Sequence, residues 1–154
     1  MIFTCLVLTA SSVLPTSLSQ EFHASRLTDG EGSMPYRWIA PETIEEGHRY
    51  PLILFLHGAG ERGSDNELQL KHFPSRMLSA ARRAEFPCFI LAPQCPENER
   101  WSADTWGEAA PEPLASQMTE PMNSAALILR DFVARHPVDT VSYTHLTLPT
   151  ICSV

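Results

Sequence analysis

The chain has 154 residues, a formal net charge of −7 and a hydrophobic fraction of 44%. These values suit one folded domain and exclude an intrinsically disordered chain. Asp and Glu outnumber Lys and Arg by 18 to 11, so the clustered positive charge that phosphate backbones require is missing and no nucleic-acid partner is expected.

The first 19 residues have the pattern of an export signal. A mostly apolar stretch runs from Ile2 to Leu8, and Ser17 and Ser19 provide small residues before a cut ahead of Gln20. No Lys or Arg precedes the stretch, and a buried first strand is the alternative interpretation. The stretch is too short for a transmembrane helix, so we expect a secreted or periplasmic protein without stable membrane insertion.

The chain that follows begins with a predicted hairpin. Phe22–Leu27 fits a short edge strand, and Thr28–Ser33 has the composition of a turn. Met34–Ala40 carries the aromatic and β-branched residues of a second strand. Pro41–His48 is polar and predicts a loop.

Two segments are predicted to be central strands, Tyr50–Leu56 and Cys88–Ala92. Both contain five consecutive apolar residues without alternation, which is typical of a parallel strand covered on both faces. Between them, Asn66–Phe73 predicts a short helical turn, and a helix is expected from Pro74 to about Ala84.

A further helix is predicted up to Arg135, with Thr119 as its N-cap. Pro137 ends it, and Val138–Ser142 is expected to approach another strand. This alternation of strand and helix predicts right-handed βαβ units on a mostly parallel sheet, and therefore an α/β fold.

The segment directly after the first central strand, His57-Gly58-Ala59-Gly60, carries the strongest functional signal. Acyl transfer passes through a tetrahedral intermediate with a negatively charged oxygen, which backbone N–H groups held in advance stabilise. Glycines let the backbone approach closely and adopt positive φ. We therefore expect an oxyanion hole built from the N–H of Ala59, together with that of Gly58 or Gly60. A plain glycine turn is the alternative.

Leu54–Gly63 resembles the segment after strand three in the α/β-hydrolase superfamily, especially in phospholipase/carboxylesterase and dienelactone-hydrolase-like secreted esterases. Ile90–Pro96, with Trp101 beyond it, resembles the next strand and loop of the same branch. The resemblance covers about Phe22 to Thr140. It implies the front part of an α/β-hydrolase fold, in a serine esterase that acts on a small-molecule or polymer-linked carboxylic ester. It implies no cofactor and no metal, and the histidine spacing fits no metal site.

The resemblance places the nucleophile in a Gly-x-Ser-x-Gly elbow after the next strand, yet no serine of this chain has glycines two residues to either side. Residues 141–154 depart from the family pattern and are expected to be a non-native tail after a partial α/β-hydrolase domain at 20–140. The catalytic serine, acid and base are therefore expected beyond the chain, and the chain is expected to be inactive. The order of the triad makes His57 a residue that orders the loop, not the base.

Trp101 and Trp106 lie in the long loop after the second central strand. Ligands of open α/β sheets bind at the carboxyl ends of the strands, so both indoles are candidates for lining an acyl or aromatic pocket. Loop packing is the alternative. Two other functions share these features. One is a non-catalytic secreted α/β binding module, and the other is a serine peptidase of the prolyl-oligopeptidase type.

Overall fold

The computed structural model describes residues 21–28, 33–102 and 118–147, and for 141–147 it describes the backbone. The predicted export signal, Trp106 and residues 148–154 lie outside the described residues. Within the described ranges, no helix is long and apolar enough to cross a membrane.

Five strands of the described chain form one mixed sheet. They are β1 (His23–Thr28), β2 (Ser33–Ile39), β3 (Tyr50–Leu56), β4 (Phe89–Pro93) and β5 (Val138–Thr147). Their order across the sheet is β1-β2-β4-β3-β5. The β1–β2 hairpin and the β2–β4 pair are antiparallel, whereas β3 runs parallel to both β4 and β5. The predicted α/β architecture, a hairpin followed by parallel strands, is confirmed.

The helical segments include 3₁₀ turns at Ala59–Glu61 and Leu68–Leu70 and the helices α1 (Phe73–Arg76), α2 (Ala80–Glu85) and α3 (Glu120–Arg135). The prediction of one helix from Pro74 to about Ala84 is wrong, because the chain forms α1 and α2 there. Ser79 adopts an extended backbone (φ −64°, ψ 136°) and its side chain accepts a hydrogen bond from the Arg82 N–H. This N-cap starts a second helix where the first has ended.

Helix α3 begins as its sequence predicts. The Thr119 side chain accepts a hydrogen bond from the Met122 N–H, which satisfies one of the free donors of the first turn. At the other end, the His136 N–H bonds to the Phe132 carbonyl before Pro137 stops the helix. The helix buries Ala125, Ile128 and Phe132 against the sheet.

The sheet is covered on both faces, as its unbroken apolar strands require. On one face Leu52, Leu54 and Leu56 of β3 pack in the cluster that contains the buried side of α3. On the other face Phe55 packs with Leu70 and Met77, from the segment between β3 and β4. Neighbouring residues of one strand thus enter two separate cores, which explains why β3 shows no polar alternation.

Strand β5 is longer than the predicted approach at Val138–Ser142. It continues to Thr147, which lies opposite Leu56 of β3. The predicted domain boundary at residue 140 therefore falls inside this strand. The expectation that 141–154 is non-native stays a prediction, since parallel pairing uses backbone groups that every sequence has.

Candidate functional site

The candidate site forms at the carboxyl edge of the parallel strands. β3 leads directly into His57, and β4 leads into Gln94 and Cys95. Because β3 and β4 are adjacent and parallel, the residues that follow them meet at one edge of the sheet. That edge is where ligands of open α/β sheets bind.

His57 lies beneath this edge with only 2% of its surface exposed. Its Nε2 accepts a hydrogen bond from the Cys95 N–H (2.9 Å), so Nε2 carries no proton. Nδ1 lies 2.7 Å from the Gly58 carbonyl oxygen and is therefore the protonated nitrogen. Burial lowers the pKa of His57, and Glu61 and the Gly58 carbonyl oppose this effect only in part. The ring is thus a neutral imidazole bonded through both nitrogens, which suits a role in ordering the loop.

Two successive peptide groups of the segment are held by hydrogen bonds to their carbonyls. The Trp101 indole N–H donates to the His57 carbonyl (3.0 Å). The Gly58 carbonyl accepts from the His57 ring and from the Glu61 N–H (3.4 Å). In a trans peptide the N–H points away from the C=O, so the Ala59 N–H is directed away from the His57 ring.

This arrangement leaves backbone donors available. Among the described residues, neither the Ala59 N–H nor the Gly60 N–H has a hydrogen-bond acceptor, as expected for the first turn of a 3₁₀ helix. Among the described residues, apart from its chain neighbours and the local backbone, no atom lies within 4 Å of the position that a Cβ on Gly60 would occupy. The segment does not use glycine's access to positive φ, since φ is −79° at Gly58 and is not positive at Gly60.

Gln94 ties the following loop to the end of β4. Its side chain is fully buried, and its Nε2 donates to the Glu61 carbonyl (3.2 Å) and to Asp65 Oδ1 (2.9 Å). Its Oε1 accepts from the Asn66 N–H (2.7 Å). Our sequence reasoning missed this residue. The available signal was an amide side chain placed directly after a fully apolar strand.

Asn66 connects the same loop to β2. Its φ of +58° is a left-handed conformation that asparagine tolerates better than most residues. Its Nδ2 donates to the Tyr36 carbonyl (3.3 Å), and the Arg37 side chain donates to the Asn66 carbonyl (2.8 Å). Gln69, also fully buried, donates to Asn66 Oδ1 (2.6 Å). The loop is therefore fixed from two strands.

The acidic residues of the loop have different partners. Asp65 Oδ1 accepts from the N–H groups of Glu67 (2.8 Å) and Leu68 (3.0 Å). Burial raises the pKa of Asp65, but these two bonds and the bond from Gln94 outweigh it, so its pKa lies below the ordinary value. Glu61 pairs with His72, with 3.0 Å between Oε1 and Nε2.

Two cysteines are further candidate nucleophiles and metal ligands of the described chain. Cys88 and Cys95 are free thiols, and burial raises the pKa of Cys95 to about 11, so Cys95 is a thiol and not a reactive thiolate at neutral pH. Within the described part of the chain, no group of three His, Cys, Asp or Glu residues is placed to hold a metal ion.

The register of β5 shows how far its residues lie from the carboxyl edge of the sheet. Tyr143 lies opposite Leu52, and Thr147 lies opposite Leu56 at the carboxyl edge. The Ser142 backbone is five residues before that edge, or roughly 16 Å at the rise of a strand. The Ser142 backbone is therefore far from the carboxyl edge where Ala59 lies.

Comparison with solved structures places this geometry among known folds. A thermostable esterase superposes with a TM-score of 0.72 and 30% identity, over 85% of this chain and 35% of the esterase. An uncharacterised protein from Capnocytophaga ochracea DSM 7271 superposes with a TM-score of 0.54 and 12% identity, over 82% of this chain and 32% of that protein. The latter likeness shows the fold alone.

No protein family and no curated protein matches the chain. The chain spans about a third of the length of the two solved structures. Over that third, this chain has an open, mixed α/β sheet and a fold similar to that of the esterase.

Proposed function

We propose that this chain forms the oxyanion-holding part of a serine carboxylic-ester hydrolase. The observation that carries the proposal is the direction of the Ala59 N–H. It has no acceptor among the described residues, and the bonds to the Gly58 carbonyl direct it away from the His57 ring. The esterase fold supports the same conclusion independently.

In such a reaction a serine oxygen attacks the ester carbonyl, and a histidine takes up the serine proton. The carbonyl oxygen becomes negatively charged, and the Ala59 and Gly60 N–H groups donate to it. The Ala59 N–H needs no rearrangement, because His57 and Glu61 already hold the Gly58 carbonyl of the same peptide group. Because these 154 residues contain no Gly-x-Ser-x-Gly elbow, the proposal assigns the serine, acid and base to none of them.

The decisive experiment removes the Ala59 N–H without disturbing the fold. Proline is suited to the first position of a helical turn, and Gly58 already has the extended conformation that precedes proline (φ −79°, ψ −176°). The test protein is a full-length gene product that contains this segment and, beyond residue 140, a Gly-x-Ser-x-Gly elbow. Ala59→Pro is expected to lower its kcat by about 10²–10³-fold on a p-nitrophenyl ester.

Ala59→Gly is the matched control, because it keeps the N–H and is expected to keep most of the activity. Wild-type kcat in Ala59→Pro would contradict the proposal. A complete gene without Gly-x-Ser-x-Gly would instead favour the binding module, and cleavage of peptides without esters would favour the peptidase.

The 154-residue chain itself is expected to be inactive. Purified chain should show no turnover of p-nitrophenyl acetate or butyrate above buffer. Turnover that a fluorophosphonate blocks would show that a serine of this chain is a nucleophile, and would overturn this part of the proposal.

A further inference from the structure

Trp101 joins the site to helix α3 through its indole N–H and its backbone carbonyl. Its indole N–H donates to the His57 carbonyl (3.0 Å), and its ring meets the imidazole edge-on with 5.3 Å between centroids. Its backbone carbonyl accepts a hydrogen bond from the Thr119 hydroxyl (3.0 Å). One residue therefore contacts the end of β3 and the start of α3.

The Thr119 hydroxyl is used twice. It donates to the Trp101 carbonyl and accepts from the Met122 N–H (3.3 Å). A hydroxyl has one proton and two lone pairs, so it can donate to a carbonyl and accept from an amide at the same time. An alanine at this position could do neither. The Thr119 Oγ1 that caps α3 thus also bonds Trp101, and Trp101 in turn bonds His57.

The first peptide group of the segment depends on this chain of contacts. The Trp101 indole fixes the His57 carbonyl, and thereby the direction of the Gly58 N–H in the same peptide plane. The His57 ring, seated on the Cys95 N–H and packed against the indole, fixes the next plane and its Ala59 N–H. Neither restraint comes from the glycines themselves.

We propose that Trp101 and Thr119 are positioning residues for the oxyanion-binding amides, and that they couple the position of those amides to the docking of α3. The proposal rests on the proposed function for its meaning in catalysis. Its test measures the position of the amides in the 154-residue chain and needs no reaction. This proposal can therefore fail while the Ala59→Pro result supports the proposed function, and the proposed function can fail while this proposal holds.

The first test variant is Trp101→Phe, which keeps an aromatic ring and removes the N–H donor. The exchange rate of the Cys95 amide hydrogen reports on the seat of His57, because that amide donates to the ring. We expect this exchange to be about three- to ten-fold faster, the effect of one neutral hydrogen bond. The amide resonances of Ala59 and Gly60 should move as well. Trp38→Phe, in the ring cluster around Phe132, should change neither.

The second variant tests the coupling to α3. Thr119→Ala should increase Cys95 exchange and move the Ala59 and Gly60 resonances as Trp101→Phe does, although the hydrogen bonds of the Thr119 side chain go to Trp101 and Met122. Thr119→Ser keeps the hydroxyl and should restore wild-type values. If Trp101→Phe does not fold, the Thr119→Ala and Thr119→Ser pair decides alone.

Unchanged Cys95 exchange and unchanged Ala59 and Gly60 resonances in folded Trp101→Phe or Thr119→Ala would overturn the proposal. So would equal acceleration at core amides such as that of Leu91, because a general loss of stability would then account for the change. Failure of Thr119→Ser to restore the wild-type values would also overturn it.

Discussion

The two ends of the parallel strands are built from different interactions. At the carboxyl edge lie the three buried polar side chains of the described residues, His57, Gln69 and Gln94, each in a hydrogen-bonded loop. At the amino end, aromatic rings pack against each other. Phe132 stacks on His136 with 4.1 Å between ring centroids and meets Trp38 edge-on at 5.4 Å.

The difference shows how stability and position are divided in this fold. Apolar burial is non-directional, so the ring cluster can hold α3 on the sheet without fixing any one peptide group. Hydrogen bonds are directional, and a buried polar group without a partner is costly. The carboxyl edge uses such bonds, and there the direction of the Ala59 N–H matters.

The largest expected effect is at the amino end. Phe132→Ala removes a ring that is 1% exposed and should lower the free energy of unfolding by about 3–5 kcal/mol. Urea unfolding followed by circular dichroism measures it. Val133→Ala changes a half-buried residue of the same helix and should lower the free energy of unfolding much less. Equal losses for the two variants would mean that the ring cluster is not the main support of α3.

At the carboxyl edge, two buried glutamines provide a matched pair. Gln94→Met loses three side-chain hydrogen bonds. It should lower the free energy of unfolding by about 2–3 kcal/mol, since the partners of Gln94 are left without their hydrogen bonds. Gln69→Met loses one bond and also removes an oxygen that has no partner among the described residues, so it should cost less. A larger loss for Gln69→Met in the same urea assay would contradict the role given to Gln94.

Two glycines differ in how their backbone and surroundings would accept a side chain. Gly63 has φ +149°, and an added Cβ would lie 3.3 Å from Gln94 Nε2, so Gly63→Ala should cost about 1–3 kcal/mol. A Cβ on Gly60 would meet no atom of the described residues within 4 Å beyond its chain neighbours and local backbone, and Gly60 has no positive φ. The unfolding free energy of Gly60→Ala should therefore stay within about 0.5 kcal/mol of wild type. Comparable losses would show that Gly60 is needed for the fold itself.

The smallest effect is on pH dependence. Burial is the main cause that lowers the pKa of both His57 and His136. Since the unfolded chain then binds more protons, stability should fall as pH drops through the ordinary histidine range near 6.5 towards the lowered values. His136→Phe removes one of these groups and keeps a ring against Phe132. Its urea unfolding midpoint should therefore change less than that of wild type between about pH 7.5 and pH 5. An unchanged dependence would contradict the assignment for His136.

The predictions that succeeded rest on local patterns. The hairpin, the two apolar strands and the Thr119 cap follow from neighbouring residues. The helix predicted across Ser79 failed because serine can either continue a helix or cap a new one, and local pattern does not decide which. Gln94 was missed for another reason. Its partners lie about thirty residues earlier, and nothing in the spacing connects them.

The sequence by itself determined that two unbroken apolar runs form buried strands and that a glycine-bearing segment follows the first. It also determined that no Gly-x-Ser-x-Gly elbow is present. Only the tertiary structure decided which N–H groups of that segment remain available. Cys95 and Trp101 reach His57 across 38 and 44 residues, because β4 lies beside β3 in the sheet. Hydrogen bonds between such distant residues depend on strand order, which is why the direction of the Ala59 N–H is a property of the fold.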